Sequence, residues 1–344
     1  MLKTTSLFVA AMLIAAAPGA ALAWNAHGHQ AIALAAYRTL SEPQKAAAFA
    51  ILKAHPHYES LLAKGRPGFA DEREWVFLRA SIWPDLIRPP PDFAGDTSTD
   101  SVLKFHQSTW HYINHPYLVG EHPKTLPTPI VDLPTPRRPM NSSVREQTLL
   151  SMAYLMRATP NDPGQVPGTT EAENRAVRLC WLLHLIGDVH QPMHTVSLVD
   201  QTRFPADDHG DQGGNLLAVQ RAVGEAPIRL HAYWDDLLGD SFRWNEIAKT
   251  ADAIGQLASS DGAGLPEIAQ HPNLDDWILE GYLAAIEYAY LDGELPLTAF
   301  RKDMPKDSAP VLDAETQQRA AATAQHRGAL AAVRIAKVLT ECLR

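Results

Sequence analysis

Cysteine is nearly absent: Cys180 and Cys342 are the only two in 344 residues. At most one bridge can form, and a chain of this size does not need it to hold a core. A disulfide tying the C-terminal helix to the central one stands against two buried thiols. Long apolar runs are equally scarce. Leu7–Ala17 is too short to anchor the chain in a bilayer and no other segment is long enough, so no transmembrane helix is expected. Positive charge is in deficit, with 30 Lys and Arg against 39 Asp and Glu, a formal balance of −9. Such a chain has no general electrostatic footprint for nucleic acid unless bound metal supplies it. Internal repeats and a domain linker are also missing, which predicts one domain.

What is present begins with an export signal. Lys3, the apolar run and Ala21-Leu22-Ala23 read as a secretory signal peptide over residues 1–23, cleaved before Trp24. A periplasmic or extracellular protein is expected, 321 residues long (344 − 23) and monomeric, without a membrane anchor.

Helical periodicity dominates the remainder. Helices are expected over Gln30–Leu40, from Ser41 with Pro43 in the first turn, and over Asp71–Ser81, stopping before Trp83-Pro84-Asp85. Phe105–Ile113 reads as extended. Ser143–Arg157 is helical, and Thr170 with Glu173 forms a capping box that opens the central helix. After a Gly-rich stretch, Leu216–Gln220 and Ala226–Leu230 suggest a short hairpin. Helices resume at His231–Leu238, Trp244–Ala258, Leu274–Leu291 and Ala314–Leu343. Pro116–Pro139 reads as a surface excursion near a site.

The chemistry concentrates in Cys180–His194, CWLLHLIGDVHQPMH. His184 and Asp188 lie four apart in an apolar helix and project about 40° apart from one face. Pro192 ends the helix, and His194 can turn back over that face. Three metal ligands within eleven residues suit zinc; the alternative is a buried helix whose polar groups satisfy one another. Other stretches add candidates: Asp85 in Trp83-Pro84-Asp85, His111 between Trp110 and Tyr112, His29 near Trp24, and His231 with Asp235, which repeats the His-x3-Asp spacing. The set exceeds what one zinc can use.

W-x4-H at Trp24, W-x-D, W-H-Y, H-x3-D-x5-H, G-G-N and a second H-x3-D occur in that order. In this the chain resembles the zinc-dependent single-strand nucleases of the S-one and P-one type, distantly related to bacterial zinc phospholipase C. The resemblance implies a mostly α fold, a single helical domain over residues 24–344 with a short β-hairpin. It implies three Zn²⁺. One is held by Asp85, His111, His184 and Asp188. A second takes the α-amino group and carbonyl of Trp24, with His29 and the other oxygen of Asp188. The third takes His194, His231 and Asp235. An N-terminal amine and its own carbonyl can close a five-membered chelate ring, and the amine's reference pKa of ~7.7–8.0 makes its deprotonation by metal easy. His27, His106, His115, His190 and His209 match no ligand position, and Trp83, Trp110, Trp181 and Trp234 are expected to pack around the site.

The implied activity is cleavage of 3′-O–P bonds in single-stranded DNA and RNA and in 3′-nucleotides, leaving 5′-phosphates. In the implied mechanism water is activated between two zincs sharing Asp188, and the third zinc stabilises the leaving oxygen. Arg88 matches a cation near the phosphate, Tyr112 a base-stacking aromatic, and Gly213-Gly214-Asn215 the rim of the base pocket. One departure stands out: Asn114 replaces the Asp of better-known members, so hydrogen bonding remains and a charge is lost. A zinc phospholipase and a non-catalytic zinc-binding protein are the competing readings.

Overall fold

The structure, a computed structural model, describes residues 24–90, 93–121, 129–134, 142–157, 162, 164–259 and 265–343. The expected signal peptide and half of the Pro116–Pro139 excursion lie outside the described residues. Helices dominate: α1 (Ala26–Thr39), α2 (Glu42–Leu52), α3 (Glu72–Leu86), α4 (Val144–Leu155), α5 (Glu171–Asp188), α6 (Leu230–Asp235), α7 (Trp244–Ser259), α8 (Glu267–Gln270), α9 (Leu274–Ala284) and α10 (Ala314–Cys342).

The element α5 is central because its sequence leaves it no exposed face. No glycine or proline interrupts residues 171–186, and apolar residues cover the whole circumference, the pattern of an enclosed helix. Its start is fixed by the capping box: Glu173 N–H donates to Thr170 Oγ1 at 3.2 Å, and Thr170 N–H to the Glu173 carboxylate at 2.7 Å. Helices α2, α3, α4 and α10 pack around it, and every residue from Ala176 to Val199 is buried. Truncating a core aromatic such as Trp181 to Ala typically costs about 3–5 kcal/mol. At Gly187 a Cβ would lie 2.7 Å from His29 Nδ1, so only glycine lets α1 come this close to the end of α5.

Two apolar clusters meet where α5 ends. Val189 belongs to the cluster around α5, and Met193 to a second one that includes Leu198, Tyr282, Ile286 and Tyr290. The second cluster also takes Tyr117 from β1 (Pro116–Leu118), which runs parallel to β2 (Ser197–Val199) in the register Pro116↔Ser197. The expected hairpin is present as β3 (Ala218–Val219) antiparallel to β4 (Ile228–Arg229).

The structure corrects several expectations. Helix α3 continues through Pro84 to Leu86. Pro84 removes one N–H near the helix end, and burial of Trp83, whose Nε1–H donates to His57 Nδ1 at 3.1 Å, outweighs that loss. Phe105–Ile113 is not extended: it holds 3₁₀ turns at Leu103–Phe105 and Ser108–His111. Trp110 fixes the second turn, lying 4.8 Å from both the Trp181 ring and the Arg178 guanidinium. Helix α9 gives way after Ala284 to a π-helical turn. Cys180 and Cys342 are free, each enclosed by the α5 cluster, and burial pushes the Cys342 thiol up to about 12.

The end of α5 is held from outside by α10. Arg327 donates to the carbonyls of Val189 (3.2 Å), His190 (3.2 Å) and Trp277 (3.0 Å), filling acceptors that a helix C-terminus leaves open. Glu280 receives Arg327 at 2.5 Å and Arg334 in a fork at 2.7 Å on each oxygen. Burial alone would raise the Glu280 carboxyl, but the Arg334 hydrogen bonds and both guanidinium charges outweigh it and draw it from 4.5 to about 2. A carboxylate depressed this far contributes about 3 kcal/mol above pH 4.5, lost as pH falls from 4.5 towards 2. Glu280→Gln should therefore lower stability by about 3–5 kcal/mol at pH 7 in urea titrations. The gap to the wild type should close across that acid window, and a constant gap would contradict the assignment.

Candidate metal centre

Asp188 is the last residue of α5 and fully buried. Its two oxygens face different imidazoles. Oδ1 lies 3.2 Å from His29 Nε2, while Oδ2 lies 3.1 Å from His111 Nδ1 and 3.4 Å from His184 Nε2. The His29 and His184 rings stack with centroids 4.0 Å apart, and His184 Nε2 is 3.8 Å from Asp85 Oδ2. Asp85 sits in the last turn of α3, one residue before its end. A second group lies beyond the turn. His194 Nε2 is 3.1 Å from His231 Nε2, which is 3.6 Å from Asp235 Oδ1.

The proton positions decide what these groups want. A carbonyl can only accept, so the ring nitrogen facing it carries the proton. His184 Nδ1–H donates to Ser81 O at 2.8 Å, His194 Nδ1–H to His111 O at 2.6 Å, and His231 Nδ1–H to Gly213 O at 2.6 Å. The inner nitrogens of His194 and His231 therefore confront each other as lone pairs. Protonating these rings is opposed: burial, then the neighbouring imidazoles, hold His29 and His194 well below the usual imidazole range. Burial first, and then the neighbouring Asp85 charge, pushes the Asp188 carboxyl well above its ordinary value. Facing lone pairs and a dry carboxylate are reconciled by a cation. The edge of a zinc tetrahedron with bonds of ~2.05 Å is about 3.3 Å, and the donor separations bracket it. Among the described residues three groups bring their donor atoms within 4.8 Å of one another: His29, Asp85 and His184; His111, His184 and Asp188; and His194, His231 and Asp235.

The fold explains how distant stretches converge. Ile113 N–H donates to His194 O at 2.9 Å, and Ser197 N–H to His115 O at 2.9 Å, so the chain after His111 is zipped to the chain after His194. Trp24 is wholly buried just before α1, and the next N–H, that of Asn25, donates to Asp235 O at 3.2 Å. The start of the domain thus reaches the second half of the site. Arg88 Nη2 lies 3.0 Å from Asp85 Oδ1. Tyr112 is half-buried. Asn114 is buried, its N–H donating to Asp132 Oδ1 at 2.9 Å and its carbonyl accepting Leu133 N–H at 3.0 Å. Asn215 Nδ2 donates to Gln212 O at 2.9 Å and lies 3.2 Å from His231 Nδ1.

The five histidines set aside in the sequence belong to none of the three groups. His27 bonds Ser241 O and Thr250 Oγ1, both at 2.8 Å, and His115 bonds Val131 O at 2.8 Å. His190 Nδ1–H donates to Ile186 O, while its Nε2 accepts from Arg334 at 2.8 Å. The sequence reading missed Gln191, whose amide donates to Asp235 Oδ1 at 2.7 Å and joins the two halves of the site. Its place between Asp188 and His194 was the available signal.

No curated protein matches the chain. A family model described as S1/P1 Nuclease matches residues 24–344, the whole of the chain after the expected signal segment. The chain therefore belongs to the S1/P1 nuclease family and is a hydrolase of nucleic acids.

Proposed function

We propose that this protein is an exported, monomeric, zinc-dependent endonuclease that prefers single strands. It cleaves 3′-O–P bonds of single-stranded DNA and RNA, releases 5′-phosphorylated products, and acts on 3′-nucleotides. The observation that carries the reading is Asp188, whose two oxygens face separate histidines at zinc-ligand spacing. In this reading three Zn²⁺ are held by Asp85, His111, His184 and Asp188; by Trp24, His29 and Asp188; and by His194, His231 and Asp235. Zinc supplies Lewis acidity, water activation at neutral pH and a counter-charge for the leaving oxygen. The third set has three protein ligands and so keeps a position for substrate.

The remaining roles belong to side chains. Arg88, beside Asp85, neutralises charge on the phosphate undergoing attack. Tyr112 offers its ring to an unpaired base, a contact worth ~1–3 kcal/mol and indifferent to sequence. Asn215, against His231, forms the rim of that pocket. Asn114 provides uncharged hydrogen bonding at the base edge.

The test is zinc-loaded mature protein incubated with single-stranded DNA, matched duplex and phosphatidylcholine, followed by product analysis. Single strands should be cut fastest, with 5′-phosphates. Extracting a paired base costs a few kcal/mol, a factor of ten in rate for about each 1.4 kcal/mol. Equal rates on single strands and duplex, or preferential release of a lipid headgroup, would contradict the proposal.

A second prediction concerns Trp24. If its amine and carbonyl are ligands, one Ala added before Trp24 turns the amine into an amide and should remove one zinc and most activity. Trp24→Phe keeps both main-chain groups and should do less harm. Full zinc and activity in the Ala-extended protein would rule out amine ligation.

A further inference from the structure

Asp211 is a buried carboxylate that the chemistry above does not use. It is fully enclosed and accepts from three donors. Leu198 N–H (2.8 Å) reaches Oδ1; Gly214 N–H (3.0 Å) and the Tyr290 hydroxyl (2.8 Å) reach Oδ2, while the Ser197 hydroxyl gives its proton to His209 O at 2.6 Å. Its own N–H donates to Leu198 O at 2.9 Å. One residue thus ties together β2, which follows His194, the Gly213-Gly214 loop, and Tyr290 beyond α9.

That loop is tightly wound. Gln212, Gly213 and Gly214 have φ of +56°, +61° and +77°, a region that disfavours side chains. A Cβ on Gly213 would lie 2.2 Å from Met193 O. The loop in turn meets His231 twice: Gly213 O accepts Nδ1–H at 2.6 Å, and Gly214 O accepts the main-chain N–H at 3.3 Å. The first of these leaves Nε2 as the lone pair facing His194 and Asp235.

We infer that Asp211, steadied by Tyr290, is a positioning residue: by anchoring the Gly213-Gly214 loop it sets the tautomer and ring plane of His231. The inference rests on the zinc reading above, because its consequence falls on the group His194, His231 and Asp235. Ligating histidines depend on such partners, whose loss commonly weakens metal binding ten- to a hundred-fold, as an order-of-magnitude guide (roughly).

Asp211→Asn tests this without changing shape, since its NH₂ confronts the N–H of Leu198 or Gly214. Two readouts are needed: zinc per chain under stepwise chelation, and the imidazole proton–nitrogen spectrum of metal-free protein. In the variant one zinc of the three should leave at a chelator concentration roughly tenfold lower or more, with the other two unmoved. The His231 Nδ1–H resonance should shift or vanish. Tyr290→Phe keeps the two main-chain donors and should move both readouts the same way by less; it decides the matter if Asp211→Asn does not fold. Unchanged zinc release with an unmoved His231 resonance would overturn the inference. Parallel weakening of all three zincs would overturn it too, because that is general destabilisation. A wild type holding fewer than three zincs would sink the zinc reading instead, while the metal-free spectrum would still decide the role of Asp211.

Discussion

A carboxylate sealed from water at the end of α5 sets the terms for its surroundings. Moving such a charge out of water costs several kcal/mol even after relaxation. Asp188 faces only imidazoles, and burial keeps those neutral. Exposed pairs elsewhere, such as Arg38 with Asp252, contribute at most about 1 kcal/mol each and cannot offset that cost. The interaction that can is a cation between the donors. The rest of the fold keeps the donors dry and in place.

Placement relies on main-chain carbonyls more than on side chains. Ser81, His111 and Gly213 each hold one ring by its outer nitrogen, and each comes from a different segment. Ring positions therefore inherit the rigidity of α3, of the β1–β2 pairing and of the loop anchored by Asp211. Arg327 does the same for α5, gripping the carbonyls of Val189 and His190 from α10. A nuclease built this way can leave Tyr112 and Asn215 partly open to solvent while the inner groups stay fixed.

Much of the α fold was legible because helical signals are local. The capping box at Thr170 and the caps at Ser41 and Ser143 were read or closely approached from neighbours in sequence. The candidate ligands were legible for a different reason: His and Asp at fixed spacing beside Trp stand out in an apolar helix. Readings failed where packing overrode local preference. Pro84 predicted a stop, but burial of Trp83 carried α3 on to Leu86 and put Asp85 on its last turn. The β1–β2 pairing was invisible because Pro116–Leu118 is three residues long and its partner lies about eighty residues away. Gly187 meets His29, Gln191 meets Asp235 and Asp211 meets Tyr290 only through the tertiary fold, so their roles were not legible locally, although Gln191 at least sits between two candidate ligands.

The central claim is that one carboxylate serves two metal ions. Elemental analysis of the zinc-loaded protein beginning at Trp24 and of its Asp188→Ala variant tests it most directly. The account predicts about three zincs per chain in the wild type and the loss of two in the variant, with the ion at His194, His231 and Asp235 retained. Loss of a single zinc, or of none, would contradict it.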